Sequence, residues 1–377
     1  MPLIFTLAAR NLFHDRLRFV ATLVGIVFSM VLVTVQMGLY LGFSRMVATM
    51  IEHADADLWI MPAGTKSFED PSALDEQKRF RALSINGVAE AKSVVIGFAQ
   101  WKLPAGGTTP IFVVGSRMRE NAMRPWNLVA GSMEALDIPG AVAIDRSYLG
   151  RLGMSGLGAS AEIRDYKVEV RALTRGIRSF TTTPYVFAPI DRARAYIGMA
   201  PNKVNYVLVR VAPGTDVETV RSRLRANMTD VEILTPAEFR DRSRTFWLFG
   251  TGAGFALFAG AVLGVIVGTI IVAQTLYAST KDHLNEFATL RAIGSSGRYI
   301  YKVIICQAVI SAIVGFCLAA AVGFLIVQQT AETALPIMMT PELTLAMFVL
   351  TVVMCVLSAI GAIAKVMRID PAMVFTR

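Results

Sequence analysis

Four stretches of this sequence run without a formal charge for longer than a helix needs to cross a bilayer. They are Phe19 to Ser44, Thr245 to Thr280, Val303 to Ala331 and Leu343 to Ala364, of 26, 36, 29 and 22 residues. About 20 apolar residues span the hydrocarbon core, so each run qualifies as a membrane span. The second is longer than the need. Drawn as one helix it reaches roughly 54 Å, so part of it is expected to project beyond the bilayer. The first run exceeds the h-region of a cleaved signal peptide, which is about 7–15 residues. It continues into Gln36-Met37-Gly38 without a small-residue cleavage site, so it reads as a retained anchor.

The basic residues give an orientation. Arg10, Arg16 and Arg18 precede the first run, Lys281, Arg291, Arg298 and Lys302 separate the second from the third, and Lys365, Arg368 and Arg377 follow the fourth. Residues 332–342 hold no lysine or arginine. Positive charge gathers on the cytoplasmic side of short loops. Both termini and the 281–302 loop are therefore expected in the cytoplasm, and 45–244 and 332–342 outside. The net charge of +9 is thus a topology signal, and no nucleic-acid partner is expected.

Residues 45–244 carry 22 of the 28 acidic residues and have the composition of a soluble domain. Strand-like runs fall at Ser93–Leu103, Ile111–Ser116, Ala141–Asp145, Ala161–Thr174, Tyr185–Ile190 and Val204–Val211. Helical patterns fall at Asp75–Leu83, Arg146–Leu152 and Val217–Met228, the last behind a Pro213-Gly214-Thr215-Asp216 turn and cap. The expected fold class is an α-helical membrane protein with four transmembrane helices plus an α+β extracytoplasmic domain inserted between helices 1 and 2. In boundaries, 1–18 is an amphipathic N-terminal helix or a basic flank, 19–44 the first span, and 45–244 the inserted domain. Then follow 245–280 as the second span, 281–302 as a cytoplasmic helix and loop, 303–331 and 343–364 as the last two spans, and 365–377 as a tail.

Catalytic constellations are not found. The sequence has no phosphate-cradling G-x-x-x-x-G-K-[ST], no H-E-x-x-H and no G-x-S-x-G. Its three histidines, His14, His53 and His283, and its three cysteines, Cys306, Cys317 and Cys355, are too scattered for a metal site or a disulfide framework. No catalytic residue, metal site or cofactor of this chain is expected. No Asp, Glu, Lys or Arg lies deep in a span, where an ion-coupled transporter carries one. Energy is then expected from a partner protein.

Two patterns remain as candidate sites. Gly260, Gly264 and Gly268 repeat every four residues on one face of the second span, so another backbone can approach closely. That backbone belongs either to a second copy of the chain or to another helix of the same one. In the cytoplasmic loop, Leu284, Phe287, Leu290 and Ile293 recur every three residues, flanked by Glu286 and Arg291 and closed by Gly294. A short helix with such a stripe suits either a partner's groove or the membrane surface.

The stretch Glu286-Phe287-Ala288-Thr289-Leu290-Arg291-Ala292-Ile293-Gly294 resembles the E-x-A-x-L-R-A-x-G signature that follows the second span of FtsX/MacB-type ABC permeases. Arg368-Ile369-Asp370-Pro371-Ala372 resembles the ending of that family, and Ala9-Arg10-Asn11-Leu12 its N-terminal helix. Ala143-Ile144-Asp145 through Leu152-Gly153, and Pro184 through Asp191, resemble two modules of its external domain. Asp55 through Gly64, with Arg124-Pro125-Trp126, resembles the DevC-like branch associated with glycolipid export. Gly158-Ala159-Ser160 departs from the Gly-Asp/Glu usual in the wider family.

The resemblance implies a non-catalytic permease subunit in a bacterial inner membrane, with 45–244 periplasmic. It implies a homodimer bound to two copies of a separate ABC ATPase, which alone holds ATP and Mg. Leu284, Glu286, Phe287, Leu290, Arg291, Ala292, Ile293 and Gly294 would dock on that ATPase. Lipid or glycolipid is the implied cargo, with a membrane fusion (adaptor) protein and an outer-membrane duct as further partners. The alternatives are an FtsX-like signalling scaffold that regulates periplasmic partners, or a lipoprotein-releasing permease.

Overall fold

A computed structural model describes residues 2–14, 16–70, 72–282, 297–330, 333 and 335–366. The chain divides into two compact units. One holds residues 1–42, 255–331 and 336–377, and the other holds 43–254 with 332–335.

The first unit is helical: α1 (Pro2–His14), α2 (Arg16–Glu52, of which residues up to 42 belong here), α8 (Ala253–Asp282), α9 (Gly297–Thr330) and α10 (Pro341–Val366). Among the described residues, four of these helices, α2, α8, α9 and α10, are long and apolar enough to cross a membrane. Their shared core is built from Ile26, Met30 and Val33 of α2, Val272 of α8, Ala308 and Ala312 of α9, and Met354 and Cys355 of α10. Small residues let the axes come close, as a Cβ on Gly25 would stand 2.4 Å from Ile271 Cγ2. Apolar side chains outside this core, such as Phe255, Phe258 and Leu263, stay exposed, as lipid-facing positions must. In α1, Ala8 and Leu12 are buried while Phe5 and Phe13 are exposed, so only one of its two apolar edges is covered by protein.

The second unit is built on one sheet. Its described strands are β1 (Leu58–Pro62), β2 (Leu74–Asp75), β3 (Val88–Lys102), β4 (Thr108–Ser116), β5 (Leu128–Gly131), β6 (Ala141–Asp145), β7 (Ser160–Ile163), β8 (Tyr166–Thr174), β9 (Tyr185–Pro189), β10 (Lys203–Val204), β11 (Tyr206–Val211) and β12 (Val231–Leu234). Ten of them form a mixed sheet in the order β12-β1-β11-β3-β4-β9-β6-β8-β5, with β7 against β3 and β8. The pairs β4–β9 and β6–β8 are parallel. Its helices are α3 (Gln77–Leu83), α4 (Leu149–Leu152), α5 (Ile190–Ile197), α6 (Val217–Asn227) and α7 (Pro236–Thr245).

The strands read as continuous apolar runs because both faces of the sheet are covered. Leu58, Ile60, Val95 and Val113 point to one face, under Ala82 of α3, Ala193 of α5 and Leu224 of α6. Trp59, Met61, Ile96 and Val114 point to the other, under Met50 and Ile51 of α2, Phe68, and Phe239 of α7. The second face is therefore roofed by the two helices through which the chain enters and leaves the domain.

Two helices differ in extent from the runs that suggested them. α2, which carries the first span, continues past Ser44 into the domain as far as Glu52, because Met46, Val47, Met50 and Ile51 are buried there rather than released into a loop. The expected single helix over 245–280 is broken. It begins with a π-helical turn over Phe246–Gly250, in which Thr251 N–H donates to Phe246 O at 3.1 Å. Gly252 then takes φ +76°, outside helical values, before α8 starts at Ala253. A Cβ on Gly254 would stand 2.5 Å from Leu248 O, so the chain can fold back this closely only with glycine there.

Candidate functional site

The residues expected to dock a partner, Leu284, Glu286, Phe287 and Leu290 through Gly294, lie outside the described residues, as does Arg368 through Ala372. The glycine series lies within them. A Cβ on Gly260 would stand 2.7 Å from Gln36 Nε2, on Gly264 2.9 Å from Val33 Cγ2, and on Gly268 2.1 Å from Ser29 Oγ. Ser29, Val33 and Gln36 lie along one face of α2 in the same chain. Ser29 Oγ also donates to Gly264 O at 2.7 Å in this buried seam. The glycine face is thus occupied by α2 and is not free for a second copy.

The arrangement with most functional content is the joint where α2 and the 236–250 segment meet the domain. Thr235 accepts from Glu238 N–H and Glu238 accepts from Thr235 N–H, a reciprocal cap that fixes the start of α7 with Pro236 in its first turn. From α7, Arg244 Nε donates to Ser44 O at 3.1 Å and its Nη2 reaches Glu52 Oε1 at 3.3 Å. Arg242 pairs with Glu232 of β12 and donates to Thr65 O. The end of α2 is thereby strapped to α7, and α7 to the sheet edge. Phe43, Phe180 and Trp247 continue the strap as edge-to-face ring pairs, with centroids 5.0 Å and 4.7 Å apart.

At the centre of the joint is Glu69, only 6% exposed. Tyr185 Oη of β9 donates to Glu69 Oε1 at 3.1 Å, and Trp247 Nε1 of the π-helical turn donates to Glu69 Oε2 at 3.1 Å. Among the described residues no lysine, arginine or histidine forms an ion pair with this carboxyl. Burial pushes its pKa up to about 7, against the pull of hydrogen bonds from its own backbone, Tyr185, Trp247 and Ser67. Tyr206 Oη pins the same segment by donating to Phe68 O at 2.9 Å and Ser67 O at 3.1 Å. Sequence reasoning passed over Glu69 and Trp247. A single carboxylate between Phe68 and Asp70 carries no motif, and only the tertiary structure removes it from water.

A second polar feature is a cleft of about 810 Å³ lined by Asp55, Asp57, Lys92, Glu120 and Arg210. Its charges are already matched: Lys92 with Asp55 and Glu90, and Arg210 with Asp55 and Asp57. No group of three or more His, Cys, Asp or Glu that could hold a metal ion occurs among the described residues.

Residues 19–227, more than half of the chain, match the MacB-like periplasmic core domain, and residues 258–371 match the FtsX-like permease C-terminal region. The chain belongs to the MacB/FtsX family of permeases. An uncharacterised ABC transporter permease of Mycobacterium tuberculosis, present in two strains, is 33% identical over 116 residues, 30% of this chain and 32% of that protein. The match thus spans about a third of the length of these relatives. Among solved structures, the periplasmic region of MacB from Actinobacillus actinomycetemcomitans covers 51% of this permease and 94% of its own chain, at 10% identity and a TM-score of 0.39. The extracellular domain of YknZ, a noncanonic ABC-type transporter from Gram-positive bacteria, covers 48% and 99%, at 15% identity and a TM-score of 0.36. This permease is therefore a multipass membrane protein with a MacB-like domain inserted after its first span.

Proposed function

We propose that this permease is the non-catalytic membrane subunit of an ABC export complex, in which a separate ATPase moves the membrane helices and the inserted domain follows. The observation that carries this reading is the joint. The chain enters the domain through a continuous α2 and leaves it through α7 and the π-helical turn, and Arg244 ties these two passages together at Ser44 and Glu52. A chain that enters the domain as continuous helix, with its entry and exit passages tied to each other inside the domain, passes movement along the backbone where a loose linker would not. Family membership supports an ATPase partner, since the sequence contains no phosphate-binding loop of its own.

The finer reading places both termini and the 281–302 loop in the cytoplasm of a bacterial inner membrane, with Leu284 to Gly294 as the ATPase contact. It takes lipid or glycolipid as cargo, a second copy of the chain in the complex, and a membrane fusion protein with an outer-membrane duct as further partners. The charge asymmetry of the loops and the Asp55–Gly64 segment support it. Co-purification tests the contact. Substituting Glu286, Leu290 and Gly294 together should remove the ATPase from the purified membrane complex while the permease stays in the membrane. Retention of the ATPase by the triple variant would reject the contact.

A further inference from the structure

We propose that Glu69 is a proton-operated latch: the charged carboxylate holds Trp247, and with it the turn that leads into α8, against the domain, and proton uptake loosens that hold. The proposal rests on the reading of this region as a transmission joint and adds a control to it.

The geometry comes from three parts of the chain. Glu69 lies on the segment that covers the aromatic face of the sheet, Tyr185 on β9, and Trp247 on the π-helical turn. Oε1 accepts from Tyr185 and Oε2 from Trp247, beside the contributions of the Glu69 backbone and Ser67. Trp247 Nε1–H can only donate, whereas a tyrosine hydroxyl can donate or accept. An added proton therefore settles on Oε1 and is donated to Tyr185 Oη. Tyr185 then turns its own hydrogen toward Ser179, whose Oγ shares a 2.7 Å hydrogen bond with Thr181 Oγ1. Trp247 keeps an acceptor in Oε2, but a neutral one, and a hydrogen bond to a neutral oxygen is about half as strong as one to a carboxylate.

The surroundings favour a single proton exchanging at this site. Facing the carboxyl are Tyr185 and Tyr206, both held well above their usual range by burial and therefore neutral. Tyr148 stands behind Tyr185. Asp70 follows in the chain and is turned to Lys66 N–H and Ser72. The Lys66 ammonium sits over the Phe246 ring at 5.8 Å, and Arg242 of α7 is engaged by Glu232 and Thr65 O. Burial places the exchange at about pH 7, where small changes outside a cell would operate it.

The test uses the full chain in lipid nanodiscs, with ring-fluorinated tryptophan and fluorine NMR. W247F assigns the Trp247 signal. Trp101, whose Nε1 donates to Leu152 O at 3.1 Å, is the fixed reference, and Trp126, stacked on His53 with centroids 4.0 Å apart, is assigned separately. The expected result is that the Trp247 signal follows a one-proton curve with a midpoint at about pH 7. E69Q abolishes the curve. Y185F removes a bond to the charged form and so moves the midpoint upward, which also serves if E69Q does not fold. A flat Trp247 signal, an unchanged curve in E69Q, or an unmoved midpoint in Y185F overturns the proposal. These readouts need no ATPase, so their failure is distinguishable from failure of the relay itself.

Discussion

Trp247 Nε1 donates to Glu69 Oε2 at 3.1 Å across 178 residues of sequence, joining the turn that precedes α8 to the roof of the inserted sheet. It is one of several ties at the joint, and the ties differ in kind. Trp247, Phe180 and Phe43 act by packing, Glu69 by accepting hydrogen bonds, and Arg244 by pairing at the surface.

Removing the indole donor tests the buried tie. W247F keeps an aromatic ring beside Phe180 but leaves Glu69 Oε2 without its partner. An unsatisfied buried acceptor costs about 1–3 kcal/mol. A thermal melt of the purified permease should fall accordingly. In the assembled complex, the ATPase should keep hydrolysing while export declines, a split that parallel activity and transport assays would read.

The carboxyl itself gives a pH dependence whose sign is fixed. Its pKa in the folded protein, about 7, stands above the ordinary 4.5. The folded state therefore binds a proton more tightly than the unfolded one. Stability is highest below about pH 4.5 as far as this group is concerned, and falls as pH rises toward 7. The full span is roughly 3 kcal/mol. E69Q, which offers Trp247 an amide oxygen and Tyr185 an amide donor, should flatten this component and melt higher than the parent at about pH 8.

Arg244 should behave differently. Its side chain is 30% exposed and that of Glu52 is 40% exposed, so the ion pair is screened and contributes at most about 0.5–1 kcal/mol. R244A should barely move the melting temperature. It also deletes the bond to Ser44 O, however, and so frees the end of α2 from α7. Export should drop more than stability does. Equal proportional losses in both measurements would assign Arg244 a purely structural role.

Much of this architecture was legible in the sequence. The four spans follow from hydropathy, which no tertiary contact can override over such lengths. The family resemblance was carried by Glu286–Gly294 and by modules such as Pro184–Asp191. The break before α8 was not legible, because Gly250-Thr251-Gly252 has the composition of an ordinary glycine-containing span. Strands β1, β5 and β12 were missed for a related reason. β1 is buried on both faces and shows no alternation, and β5 and β12 are only four residues long, too short for a periodic pattern to stand out. The start of α7 was written out as Thr235-Pro236-Ala237-Glu238, a capping signature that went unread beside the longer apolar run. The partner face of the glycine series could not be read at all, since spacing states that something approaches closely and not what.

That face can be tested by adding volume. A Cβ on Gly268 would lie 2.1 Å from Ser29 Oγ and 2.4 Å from Ser29 Cβ, so no rotamer change relieves it. G268A and G264V should separate α8 from α2 and cost about 1–3 kcal/mol. G361A, where nothing lies within 4 Å, should be neutral. Detergent-denaturation midpoints of the three variants give the comparison.

Side-specific labelling examines the transmission from cytoplasm to inserted domain most directly. After Cys306, Cys317 and Cys355 are replaced by alanine, single cysteines are placed at Leu157 in the domain and at Lys281 beyond the end of the second span, both exposed. In intact spheroplasts, a membrane-impermeant maleimide should label L157C at once and K281C only after permeabilisation. Labelling of both cysteines in intact spheroplasts, or protection of both, would place them on one side of the membrane and leave no bilayer for α2 and α8 to carry movement across.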